Sequence, residues 1–177
     1  MFELATSRLY LIQTPLHVVE MRLAHETFDA ELPIRGQRQS VHFPAEWPGE
    51  PLAFFPGMAE HLRRHPDAEL WGGILIEQAG MVAVGQIGTK GPPDPAGSVD
   101  IGYGINPSYE GRGYMTEAVR GLSAWMLARP EVSRVTADCL NTNIGSVRVL
   151  EKSGFVRVGE RYDEEEGGTL ILWERRA

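Results

Sequence analysis

A mixed α/β (α+β) fold is predicted for this chain by three observations. Short runs alternate apolar and polar residues, runs of helical period lie between some of them, and glycine or proline punctuates nearly every junction. Arg8–Gln13 (RLYLIQ) reads as the first strand, stopped by Thr14-Pro15. Leu16–Ala24 follows as a helix, with Val19 and Leu23 one turn apart. Glu26–Pro51 carries Phe28, Leu32, Phe43 and Trp47 among prolines and polar residues, and is expected to form short helices and loops over a core. From Leu52 the apolar positions Phe54, Phe55, Met58, Ala59 and Leu62 predict a second helix, ended by His65-Pro66. Leu70–Glu77 and Met81–Thr89 read as two strands turning at Gln78-Ala79-Gly80. Lys90–Gly97 is a turn-rich connection without the signature of a domain boundary. A central strand from Ser98 and a long helix ending near Arg129-Pro130 come next, and Arg134–Leu140 is another strand. Asn143 is placed as the N-cap of a short helix that turns Ile144, Val147 and Leu150 inward, with Gly154 as its C-cap. Phe155–Tyr162 and Thr169–Glu174 form a last strand pair around the acidic turn Asp163–Gly168. Residues 1–177 are read as one domain, without internal repeats.

Composition narrows the function. The chain has 177 residues, enough for a substantial core, with 42% hydrophobic and 23% charged residues, as in ordinary globular proteins. A formal net charge of −7 argues against a nucleic-acid surface, which needs clustered basic residues. It leaves room for a small anionic ligand held by a few local groups. A single cysteine rules out an intrachain disulfide. No apolar run approaches a membrane span and Met1-Phe2-Glu3 lacks the basic start of a signal peptide, so a cytoplasmic location is expected.

The most informative stretch is Ser98–Ala118, SVDIGYGINPSYEGRGYMTEA. Val99, Ile101, Tyr103 and Ile105 alternate onto one face of a strand, while Asp100, Gly102 and Gly104 share the other. That second face is nearly bare, so something other than a large side chain can lie along it. Asn106-Pro107-Ser108 ends the strand. Glu110-Gly111-Arg112-Gly113 then leads into a helix on which Tyr114, Ala118, Leu122, Trp125 and Met126 recur at helical spacing. A strand, a glycine turn and a helix start present unpaired N–H groups and a partial positive charge, which suits an anion. No Lys-Ser or Lys-Thr follows the glycines and no third glycine stands at the dinucleotide spacing, so neither of those phosphate motifs applies.

IGYGINPSYEGRGYMTEA, together with Asn143–Phe155 (NIGSVRVLEKSGF), resembles the GNAT superfamily of N-acetyltransferases, and within it the ribosomal-protein alanine acetyltransferases. The resemblance runs in order from Thr6-Ser7-Arg8-Leu9 to the C-terminus, and Arg22–Glu69 is its least matched part. It implies a twisted, mostly antiparallel sheet, flanked by helices and splayed between its fourth and fifth strands. It also implies transfer of the acetyl group of acetyl-CoA to a primary amine, either a protein α-amine or a small-molecule amine, without a metal. Direct attack in a ternary complex is expected, because no residue has the context of an activated covalent nucleophile. The alternative is a non-catalytic acyl-CoA-binding module of the same fold.

By the same resemblance, Ile105, Gly111, Arg112, Gly113, Tyr114, Met115, Thr116 and Asn143 bind the cofactor. Glu110 and Met115 depart from the commonest form of the family's phosphate loop. Asp100 falls at a strand position that often carries the base, and an exposed or ion-paired carboxylate is the competing reading. Ser146 is the candidate for protonating the thiolate, since Leu150 stands where many relatives have tyrosine; a serine satisfied by its own helix competes with that reading. Phe28, Trp47 and Phe54 are expected to line the acceptor pocket. Other constellations carry less. His61 and His65 are one turn apart without a glutamate after the first, so no metal is expected. Cys139 lies in a strand pattern and reads as buried. His25–Asp29 matches the string of another acyltransferase class by chance, and no nucleophile elbow is present. Monomer and homodimer are both consistent with the sequence.

Overall fold

A computed structural model describes residues 2–177 and divides them into two compact units, each discontinuous in sequence. Of the described residues, the first comprises 2–88 and 103–114, the second 89–102 and 115–177.

In the first unit, β1 (Glu3–Ala5), β2 (Leu9–Ile12), β5 (Gly72–Glu77) and β6 (Val82–Thr89) lie side by side in that order, all antiparallel. Between β2 and β5 the chain forms α1 (Leu16–Ala24), a hairpin of β3 (Phe28–Ile34) and β4 (Gln37–Phe43), a 3-10 turn (Glu50–Phe54) and α2 (Phe55–Arg64). The hairpin replaces the short helices and loops expected over Glu26–Pro51. Its alternation is present in the sequence: Phe28, Leu32 and Ile34 point into the core from one strand, Val41 and Phe43 from the other. The turn is the two-residue type that suits the right-handed twist of strands, with Arg35 at φ 51 and Gly36 at φ 75. The second helix also begins later than expected, because residues 50–54 take the tighter 3-10 form and Pro56 sits at the start of α2.

These elements enclose an aromatic core. Phe28 stacks on Phe43 at 4.6 Å between ring centroids, and Trp47 meets Phe43 and Phe55 edge-on at 4.7 and 5.4 Å. Trp47 is fully buried, and its indole N–H donates to the Gly85 carbonyl at 2.9 Å. Burying that one polar group without a partner would cost energy comparable to a lost hydrogen bond, and the carbonyl supplies it.

The second unit, which takes in β7 (Ser98–Ile105) as far as Gly102, has the strand order β7, β8 (Arg134–Leu140), β10 (Gly168–Arg176), β9 (Val156–Asp163). β10 is antiparallel to both of its neighbours, whereas β7 and β8 are parallel. α3 (Tyr114–Leu127) and α4 (Ile144–Lys152) complete it, and Val119, Leu122, Met126, Val135, Leu150 and Phe155 are buried. α4 is capped as expected, but of the residues expected to face inward Leu150 is buried, Val147 half-buried and Ile144 exposed. Asn143 Oδ1 accepts from the Ser146 N–H at 3.0 Å, and Gly154 at φ +83 closes the helix. Phe155 N–H reaches the Leu150 carbonyl and Gly154 N–H the Glu151 carbonyl, both at 3.1 Å, the paired bonds of a Schellman motif.

The predicted mixed fold with a mostly antiparallel sheet is therefore present, and so is the interruption of the sheet. β7 and β8 pair at Ser98↔Arg134, Val99↔Val135 and Asp100↔Thr136, where the ladder stops although both strands continue. These are the fourth and fifth strands of the sequence reading, which lacked β1 and the β3–β4 hairpin. Among the described residues, no helix is long and apolar enough to cross a membrane.

Candidate functional site

The turn between β7 and α3 is held at both ends. Asn106 is fully buried; its N–H donates to the Val84 carbonyl at 2.8 Å and its amide nitrogen to the Ala83 carbonyl at 2.9 Å. A 3-10 turn at Pro107–Tyr109 follows, anchored by Glu46, whose carboxylate accepts from the Ser108 N–H at 3.1 Å and from the Ser108 hydroxyl. The last backbone bond of this turn is Glu110 N–H to the Pro107 carbonyl at 3.2 Å. The N–H groups of Gly111, Arg112 and Gly113 have no acceptor among the described residues, and all three residues are exposed. Gly111 at φ +71 and Gly113 at φ +78 take the left-handed conformation that L side chains avoid. The chain then enters α3, whose first-turn N–H groups have no carbonyl within the helix to receive them.

Two guanidinium groups flank this turn. Arg112 lies 4.8 Å from the Tyr109 ring centroid. Arg8, 104 residues away in sequence, lies 4.4 Å from the Tyr114 ring centroid and donates from Nη1 to the Arg112 carbonyl at 3.0 Å. The Tyr114 hydroxyl donates to Glu77 at 3.2 Å. Burial, then the Glu77 carboxylate, push that hydroxyl above its ordinary pKa, with Arg8 and Arg112 pulling the other way. Donors without acceptors, left-handed glycines and nearby cations form a set that a diphosphate fits.

The bare face of β7 has occupants from the chain itself. A Cβ on Gly104 would lie 2.4 Å from Pro51 Cδ, and one on Gly102 would lie 3.5 Å from Lys90 Cε. The glycines admit Pro51 and the lysine stem, a correction to the expectation that something other than a large side chain lies there.

Asp100 is half-buried and fully engaged. Thr136 Oγ1 donates to its Oδ1 at 3.0 Å, and Lys90 Nζ lies 2.8 Å from its Oδ2. The same ammonium reaches Asp138 at 3.2 Å, and Asp138 is 3.7 Å from Arg161. Burial works to lower the Lys90 pKa, but the hydrogen bonds and charges of Asp100 and Asp138 outweigh it and raise it above the ordinary 10.5. The ion-paired reading of Asp100 is thus the observed state, with a lysine as its partner.

Ser146 is half-buried on the first turn of α4, and its hydroxyl meets the Cys139 thiol. Burial raises the pKa of that thiol, which Trp173 and then Ser146 oppose, and the cysteine is buried as expected. Met115 is buried and Thr116 half-buried at the start of α3.

The aromatic trio expected at an acceptor pocket is divided. Trp47 and Phe28 belong to the core, at 0% and 8% exposure, and offer no face to a ligand; Phe54, at 75%, does. The sequence reading gave Arg8, Glu46 and Lys90 no role at the site. Arg8 stood inside the Thr6–Leu9 string that resembles the family, whereas Lys90 and Glu46 carried no local signal.

The sequence model of the acetyltransferase (GNAT) domain matches residues 16–156. The chain belongs to this family. An uncharacterized N-acetyltransferase of Bacillus subtilis (strain 168), YjdG, is 35% identical over 115 residues, covering 63% of this chain and 67% of that protein. Among solved structures, a ribosomal-protein-alanine acetyltransferase from Vibrio fischeri superposes with a TM-score of 0.66 at 18% identity, over 99% of this chain and 97% of that one. A ribosomal-protein α-N-acetyltransferase in complex with coenzyme A gives 0.67 at 14% identity, over 99% and 98%. These two carry the fold. With the family match, the chain is an acetyltransferase enzyme, and the non-catalytic module is set aside.

Proposed function

We propose that this acetyltransferase is a single 1–177 domain, cytoplasmic, that transfers the acetyl group of acetyl-CoA to a primary amine by direct attack in a ternary complex. The observation that carries the reading is the Glu110–Gly113 turn, with its unclaimed N–H groups and left-handed glycines at the head of α3. Acetyl-CoA supplies an activated thioester; binding, orientation and proton movement fall to the chain. Gly111, Arg112, Gly113, Tyr114, Met115 and Thr116 bind the diphosphate, chiefly through backbone N–H groups. Ile105 offers backbone at the end of β7 to the pantetheine arm, and Asn143 contacts the arm while capping α4. Asp100 receives the amine proton through water, since its own oxygens are occupied by Thr136 and Lys90. The Ser146 hydroxyl, on the first turn of α4, returns a proton to the thiolate. Phe54 faces the acceptor.

The test is release of free thiol from acetyl-CoA with a panel of N-terminal peptides and small amines, beside calorimetry with CoA. Turnover with either acceptor class supports the reading and selects the class. Failure to bind CoA in calorimetry would sink it.

A further inference from the structure

Arg8 lies outside the phosphate turn, in the segment that enters β2, yet three contacts direct it there. Its backbone is pinned, because the Gln78 N–H donates to the Arg8 carbonyl at 2.9 Å and the Gln78 side-chain amide donates to the carbonyls of Thr6 and Leu9, both at 3.0 Å. Its guanidinium packs on Tyr114, whose hydroxyl is tied to Glu77, and Glu77 in turn accepts from the Gly80 N–H at 2.8 Å. From this platform Nη1 takes the Arg112 carbonyl at 3.0 Å.

That last bond has a geometric consequence. The Arg112–Gly113 peptide is planar and trans, since Trp47-Pro48 is the cis bond recorded among the described residues. In a trans peptide the carbonyl and the following N–H point in opposite directions. Holding the Arg112 carbonyl toward Arg8 therefore turns the Gly113 N–H away from it. Gly113 at φ +78 tolerates that orientation where another residue would drive the peptide to rotate. We infer that Arg8 is a positioning residue for coenzyme binding: it fixes the Arg112–Gly113 peptide so that the Gly113 N–H is presented to a phosphate of the coenzyme. The inference rests on the phosphate-turn reading above. It gives Arg8 a role through the peptide, whereas Arg112 acts by its own exposed N–H and charge.

The test measures binding of CoA and of pantetheine, which lacks the phosphates, to the wild-type chain, Arg8→Met and Arg8→Lys, with thermal midpoints for each. Arg8→Met is expected to weaken CoA about tenfold, the scale of a hydrogen bond from a charged group. Pantetheine affinity should be unchanged. Arg8→Lys, which keeps a donor and a cation for the Tyr114 face, should recover part of the loss. CoA affinity within about twofold of wild type in Arg8→Met overturns the inference on this scale. So do equal losses for CoA and pantetheine accompanied by a lower midpoint, which would make Arg8 a general structural brace. A wild-type chain that binds no CoA refutes the phosphate-turn reading itself, and the inference with it.

Discussion

Gly113→Val separates backbone strain from steric filling at the phosphate turn. A Cβ at this position would have Arg8 Nη2 as its nearest neighbour, at 3.5 Å, which is an ordinary contact. The surroundings therefore exact no steric penalty, and the cost lies in φ +78. An L residue in the left-handed region costs about 1–2 kcal/mol, and a β-branched one more. The turn is exposed and its N–H groups lack acceptors, so chiefly the single Arg8 bond to the Arg112 carbonyl holds it in the strained form. It should relax by rotating the flanking peptides, and the cost then appears as lost ligand affinity. A loss of 1–2 kcal/mol corresponds to roughly five- to thirtyfold weaker binding. If the turn instead keeps its shape, the same energy appears as a midpoint lowered by roughly 2–4 °C per kcal/mol for a chain of this size. Calorimetry with CoA and a thermal scan on the same preparation distinguish these outcomes. A folded Gly113→Val that keeps both wild-type affinity and wild-type midpoint refutes the placement of the cofactor on this turn.

Gly104→Ala should behave in the opposite way, destabilising the fold by about 1–3 kcal/mol because the methyl collides with Pro51; an unchanged urea midpoint would contradict that contact. Lys90→Met should cost no more than about 1 kcal/mol, as its ion pairs are half-exposed. Because the Lys90 pKa is raised on folding, its contribution is complete below the ordinary value of 10.5 and fades as pH rises through the higher folded value. The wild-type-minus-variant stability should accordingly be flat from neutral pH to about 10 and shrink above it, and a difference that vanishes on acidification to pH 8 would be inconsistent with the pair. Ser146→Ala should slow turnover on the order of tenfold to a hundredfold with CoA affinity retained, and a fully active variant would leave water as the acid.

What could be read from the sequence was local. The Asn143 cap and the Gly154 closure each depend on residues within one or two turns, and both stand where spacing put them. The strand of alternating Val99 and Ile101 and the glycine turn after it were legible for the same reason. Glu26–Pro51 was obscured because Pro33 and several polar residues broke the visual alternation, although Leu32, Ile34, Val41 and Phe43 keep it. Trp47 and Phe28 were assigned to a pocket because large aromatics suit both pockets and cores. Their choice of core depends on Phe43, Phe55 and the Gly85 carbonyl, none of which spacing can bring together. Arg8 meets Arg112 across 104 residues, so only chain closure reveals it. Periodicity showed that one face of β7 was stripped to glycine, but not that Pro51 and Lys90 fill it.

The stripped face also decides how Asp100 can act. Spacing placed a carboxylate beside two glycines, and a free carboxylate there would accept a proton directly. In the fold the same clearance admits the Lys90 stem, which brings an ammonium to the carboxylate at 2.8 Å, while Thr136 takes the other oxygen. Lys90 also reaches Asp138, so one cation ties β7 to β8 next to Asp100↔Thr136, where their ladder ends. Any contribution of Asp100 to turnover would then pass through a water, or follow displacement of Lys90 by the incoming amine, itself an ammonium before it is deprotonated. Both routes tie Asp100 to its lysine partner. The rate of Lys90→Met therefore reports on the chemistry as its stability reports on the sheet: a changed rate ties Lys90 and its carboxylate partner to the reaction, and a rate unchanged at every pH returns Asp100 to a purely structural clasp.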